Sequence, residues 1–194
     1  EGGGRVPPFG LINGIAVGPS GSIYVAGDLG PLVYQLTPKT FYVPGAAHVA
    51  GFNGSRWTTD LELHNRGDGV SSYTVELLAG SGFAEGATPI SFDLAPGCSV
   101  RYHDVVGELF GFHGTGALRV VATGGELLAS AQTRTPGHGG TFGEFIEAMS
   151  GSGAGGERRL LQLDASATAR TNLGVVSGSP FPITLDVQLV DDGG

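Results

Sequence analysis

The chain has 194 residues, with 10 Lys and Arg against 18 Asp and Glu. The resulting net charge of −8 argues against a nucleic-acid partner, whose phosphates demand a basic surface. Thirty-six glycines and 11 prolines without a collagen-like period indicate short strands between many turns. No apolar run approaches the roughly 20 residues of a membrane-spanning helix, and the lone Cys98 excludes a disulfide within the chain.

Residues 1–10 form an entry without periodicity. From Gly14 to Asp28, Ile15 and Val17 alternate into a Pro19-Ser20-Gly21 turn, and Ile23 and Val25 alternate out of it. That pattern predicts a hairpin, and Pro31 to Leu36 supplies a third strand. The run GIAV-x-P-S-G-x-IYVA resembles one repeat of the NHL or SBBP type of β-propeller over residues 12–38. A propeller closes only with about four to eight blades, so a lone repeat implies either a piece of a longer protein or another use for these strands.

Residues 38–56 read as a linker, with Phe41-Tyr42-Val43-Pro44 as a short edge strand. A module follows over 57–136, with strands expected at 57–65, 72–79, 88–94, 98–103, 116–123 and 126–134. In the first, Trp57, Thr59, Leu61 and Leu63 share the inner face, and Thr58, Asp60, Glu62 and His64 the outer one. Asp104 is placed to cap a short helix over residues 105–110, and Gly124-Gly125 to turn a hairpin. The expected fold is all-β: an antiparallel immunoglobulin-like sandwich over 41–136, a Gly/Ser-rich bridge over 137–159 and a partial second unit over 160–194, behind the N-terminal β segment of residues 1–40.

The second unit is read from an internal repeat. Shifting Trp57–Gly82 by 112 residues lays it on Ala169–Gly194 without a gap. Thr59, Leu61, Val75, Leu77 and Gly82 then fall on Thr171, Leu173, Val187, Leu189 and Gly194. Strands are expected near 160–164, 170–176 and 183–190, without a counterpart of residues 83–136. FYVPGAAHVAG, TDLELHN, TFGEFI and RTNLGVV make residues 40–194 resemble tandem immunoglobulin-like modules of large secreted bacterial proteins. The resemblance implies an extracellular, non-catalytic role, with which the near absence of lysine (Lys39 alone) agrees.

Several constellations have plain structural explanations. Asp60, Glu62 and His64 have a spacing that suits a metal, but an exposed strand face explains it, and copy two carries Asn172, Gly174 and Val176 there. Arg101, His103 and Asp104 lack a nucleophile on a sharp turn. Gly151 to Gly156 matches G-x-G-x-x-G without the strand and helix a dinucleotide site needs. Arg66-Gly67-Asp68 is explained as a turn, and Asn53-Gly54-Ser55 is a glycosylation sequon. No catalytic residue, metal or cofactor is therefore expected.

The predicted function is an extracellular structural subunit that joins copies of itself head-to-tail by strand complementation. Its interface residues are Ile15, Val17, Ile23, Val25, Val33 and Leu36 on one side. Leu173, Val175, Leu185, Val187 and Leu189 stand on the other. The alternative is an accessory module of a larger secreted enzyme, binding a surface glycan.

Overall fold

The computed structural model describes residues 12–18, 23–27, 33–79, 88–150, 160, 163, 166, 171, 173–179 and 183–190. Strands β1 (Ile12–Val17), β2 (Ile23–Gly27) and β3 (Val33–Leu36) form an antiparallel sheet of their own in the order β1-β2-β3. The alternation sets its register, with Ile15 opposite Val25 and Val17 opposite Ile23. The Pro19-Ser20-Gly21 turn lies outside the described residues.

Nine more strands form one ladder network among the described residues. They are β4 (Lys39–Ala50), β5 (Arg56–Asn65), β6 (Ser71–Ala79), β7 (Ile90–Leu94), β8 (Ser99–Tyr102), β9 (Gly114–Thr123), β10 (Leu127–Gly137), β11 (Gly140–Glu147) and β12 (Met149–Ser150). The ladders resolve into two layers. One runs β11-β10-β5-β8 and the other β12-β4-β9-β6-β7, all antiparallel. They join at a corner where His48–Ala50 of β4 pair with Arg56–Thr58 of β5. Between the layers, Leu61, Leu63, Val75, Leu77, Leu118 and Val120 are fully buried, so the inward register expected of β5 and β6 holds. The molecule is an all-β antiparallel sandwich.

The helix α1 (Val105–Glu108) follows β8 and buries Val105 and Val106 against this core, capped by Asp104 as expected. Gly124 and Gly125 take positive φ of 70° and 59°. The hairpin expected there is not formed: β9 pairs with β4 and β6 and β10 with β5 and β11, so the two glycines carry the chain from one layer to the other.

Three further expectations are corrected. The stretch read as a linker over 38–56 is mostly β4, a 12-residue interior strand. Its period is hidden by a bulge between Val43 and Ala46, at Pro44-Gly45, after which Ala46, Ala47 and His48 are buried in succession. Residues 140–147 and 149–150, assigned to the Gly/Ser-rich bridge, are β11 and β12 and belong to the sandwich. Of the strands expected near 160–164, 170–176 and 183–190, the last is not formed, and the described residues of the other two carry no strand, their remaining residues lying outside the described set. A strand needs a neighbouring backbone to pair with, and no ladder joins these residues to another segment among the described residues.

Candidate functional site

Polar residues collect where β4 leaves the edge of β5 and β8 takes its place. Thr58 is the last β5 residue paired with β4, and Leu61 is the first paired with β8. Thr59 fills the gap on the inner side, its hydroxyl accepting the Ala47 N–H at 2.8 Å and meeting the Thr133 hydroxyl at 2.8 Å. Asp60 fills it on the outer side. Its carboxylate accepts the Asp104 N–H at 3.1 Å and an Arg134 Nη2 hydrogen at 2.9 Å, and His103 Nδ1 lies 3.3 Å away.

The expectation that Asp60 lies on a solvated face is therefore wrong: the residue is 6% exposed. The turn between β8 and α1 folds over it, and Arg134 reaches across from β10. Glu62 and His64, its partners in the metal-like spacing, stay half-buried. Glu62 is bound to Arg101, and His64 Nδ1 lies 2.9 Å from the Ser99 hydroxyl. Among the described residues no three His, Cys, Asp or Glu side chains stand where they could hold one metal ion.

A second buried pair adjoins the first. His48, 6% exposed, has Nδ1 at 2.6 Å from Asp104 Oδ2 and Nε2 at 3.3 Å from Arg56 Nη2. A guanidinium only donates, so Nε2 is the acceptor from Arg56 and Nδ1 the donor to Asp104. His113 meets the His48 ring edge-on at 4.6 Å. Asp104 holds a left-handed φ of 46°, and a Cβ on Gly107 would stand 2.8 Å from its carboxylate, so residue 107 must be glycine here. Every polar atom of the His48–Asp104 pair that these contacts describe is taken by a protein partner. Cys98, the strongest nucleophile in the chain, sits exposed at the turn before β8. The cluster fastens β4, β5, β10 and α1 at one corner.

No family model and no curated protein matches the chain. A solved structure described as "Crystal Structure of Thermotoga maritima 1070" aligns at 11% identity with a TM-score of 0.46. The alignment covers 57% of this chain and 92% of that one. Likeness at this level carries no inference about fold or function.

The residues expected at a subunit interface fall into three groups. Ile15 and Val17 are exposed, Ile23 is half-buried and Val25 is buried. The side chains of Val33 and Leu36 lie outside the described set. Leu173, Val175, Leu185, Val187 and Leu189 are all exposed, Leu189 at 83%. No ladder joins the first set to the last among the described residues. Near its start, the C-terminal stretch passes over β4: a Cβ on Gly174 would stand 3.3 Å from the Pro44 carbonyl, and one on Gly178 3.0 Å from the Tyr42 hydroxyl.

Sequence reasoning missed Phe142 and Phe145, which β11 exposes at 63% and 69%. It also missed the partnership of Asp60 with Arg134. For the phenylalanines a signal was present, since Thr141 to Glu147 has no lysine, arginine or proline to guard an edge.

Proposed function

We propose that this protein is a structural subunit of the cell exterior that assembles with copies of itself by sharing β-strands. One observation carries the reading. Residues 183–190 are all exposed and in no ladder among the described residues, yet Ile183, Leu185, Val187 and Leu189 alternate as in a half-buried strand. An alternating strand left in water exposes both its apolar face and its backbone N–H and C=O groups. Both deficits are met together when another sheet takes it in. The sheet β1-β2-β3 is the candidate to do so, since it presents Ile15 and Val17 to solvent and neither outer strand pairs further among the described residues. Contact between the N-terminal sheet of one copy and the C-terminal stretch of the next is head-to-tail, and such contacts build rings or open filaments.

Removing residues 1–38 tests this reading. The shortened chain is expected to keep the sandwich and lose assembly, measured by sedimentation velocity and by negative-stain imaging. Assembly equal to that of the full chain would overturn it. The glycan-binding alternative has weaker support. Its candidate is a shallow cleft of about 270 Å³ between β6, β7 and β9, lined by Ser72, Thr74, Ser91, Asp93 and Thr123. The Ser72 hydroxyl already donates to Asp93 there, at 2.6 Å.

A further inference from the structure

We infer that the free edge of β11 is the docking strand for residues 183–190 of a second copy. The inference rests on the reading of the chain as a strand-sharing subunit and deepens it: a strand has two hydrogen-bonding edges, and β11 takes the one that the N-terminal sheet leaves open.

β11 ends its layer, so only β10 pairs with it among the described residues. The pairing runs without a bulge from Gly137↔Gly140 to Ser130↔Glu147, which leaves a regular outer edge eight residues long. Edges are ordinarily guarded by lysine, proline, a bulge or a covering loop. β11 itself has no lysine, proline or bulge, and its charges are Glu144 and Glu147 alone. Its exposed Phe142 and Phe145 are three residues apart and so point to opposite faces, giving an incoming strand an aromatic neighbour on each side.

The occupant follows from length and pattern. Residues 183–190 are also eight, and they are the described run that alternates as a strand without pairing as one. Ile183, Leu185, Val187, Leu189 and Val190 on this run and the two phenylalanines on β11 are each more than half exposed. Covering seven such side chains removes on the order of 1,000 Å² from water, the lower range for a specific interface. Glu144 and Glu147 on β11 and Asp186 on the run repel, as does the net charge of −8, so the contact is expected to tighten as salt rises.

The test uses full-length chains in sedimentation equilibrium. Phe142→Lys with Phe145→Lys spoils the edge, and Leu185→Lys with Val187→Lys spoils the run. All four positions are exposed, so the sandwich fold, read by circular dichroism, is unchanged. Each doubly substituted chain alone is expected to associate at least tenfold more weakly than the parent. An equal mixture of the two is expected to form dimers and nothing larger, because one chain keeps a working edge and the other a working run. The inference is overturned if the edge variant associates like the parent, or if the mixture stays monomeric. Loss of assembly on removing residues 1–38, with no response to the edge lysines, would sink the edge and spare the subunit reading. The reverse result would spare the edge and sink completion by the N-terminal sheet.

Discussion

Asp60 and Glu62 are two residues apart on the same face of β5, and their surroundings make them unlike. Asp60 is buried and takes hydrogens from Arg134 and from the Asp104 backbone, whereas Glu62 meets Arg101 near solvent. Asp60→Ala leaves those donors unmatched and is expected to cost about 2–3 kcal/mol. Glu62→Ala is expected to change stability by less than about 1 kcal/mol. Urea unfolding of both variants checks the contrast, and equal costs would show that the corner is not held by Asp60.

Tyr73 and Tyr102 share a hydrogen bond of 2.7 Å beneath Phe92. Burial, followed by the bond to Tyr102, raises the Tyr73 phenol well above the usual tyrosine range. Burial raises Tyr102 as well, with the bond to Tyr73 acting the other way. A phenol with a raised folded pKa stabilises the fold fully below pH about 10, and that contribution is lost as pH climbs through the folded value. An ultraviolet titration is expected to show two of the five tyrosines ionising late, together with loss of the fold. In Tyr73→Phe one late ionisation disappears. An unchanged curve would show that this pair does not control alkaline stability.

At the scale of elements, β5 and β6 were legible because one face is core and the other is not, so alternation appears directly in Leu61, Leu63, Val75 and Leu77. β4 was not legible, because it lies between β9 and β12 or β5 and bends at a bulge, which places consecutive buried residues on it. β11 was hidden for the opposite reason: few of its side chains are buried, so its glycines and phenylalanines look like a linker. The repeat also misled. Leu77 and Leu189 match in sequence, but the first is fully buried and the second is 83% exposed. Leu77→Ala is expected to cost about 2–5 kcal/mol, and Leu189→Ala less than about 0.5 kcal/mol in the monomer. A large cost at Leu189 at monomer concentrations would show that the C-terminal stretch packs on its own sandwich.

Across the whole molecule, the core between the layers is closed, and apolar side chains stand exposed on β1, on the edge strand β11 and in the run 183–190. Amide hydrogen exchange distinguishes the parts, because protection follows hydrogen-bonded ladders. Amides of β5, β6 and β9 are expected to exchange only on global unfolding. Those of 183–190 are expected to exchange unprotected in the monomer and to gain protection on assembly. Protection that is independent of concentration would place that run on its own chain and end the strand-sharing account.

By itself the sequence determined the class of fold, the inner face of β5 and β6, the turn at Gly124-Gly125, the capped turn at Asp104 and the strand-like pattern of 183–190. All of these rest on local periodicity or local backbone chemistry, which a chain carries before it folds. Tertiary structure alone decided that Asp60 is buried, that His48 pairs with Asp104 across 56 residues, that β4 is interior and that β11 is an edge. Burial, pairing and edges are relations between segments far apart in the chain. Alternation shows that a strand has two faces, but only the neighbours that assemble around it decide what each face meets.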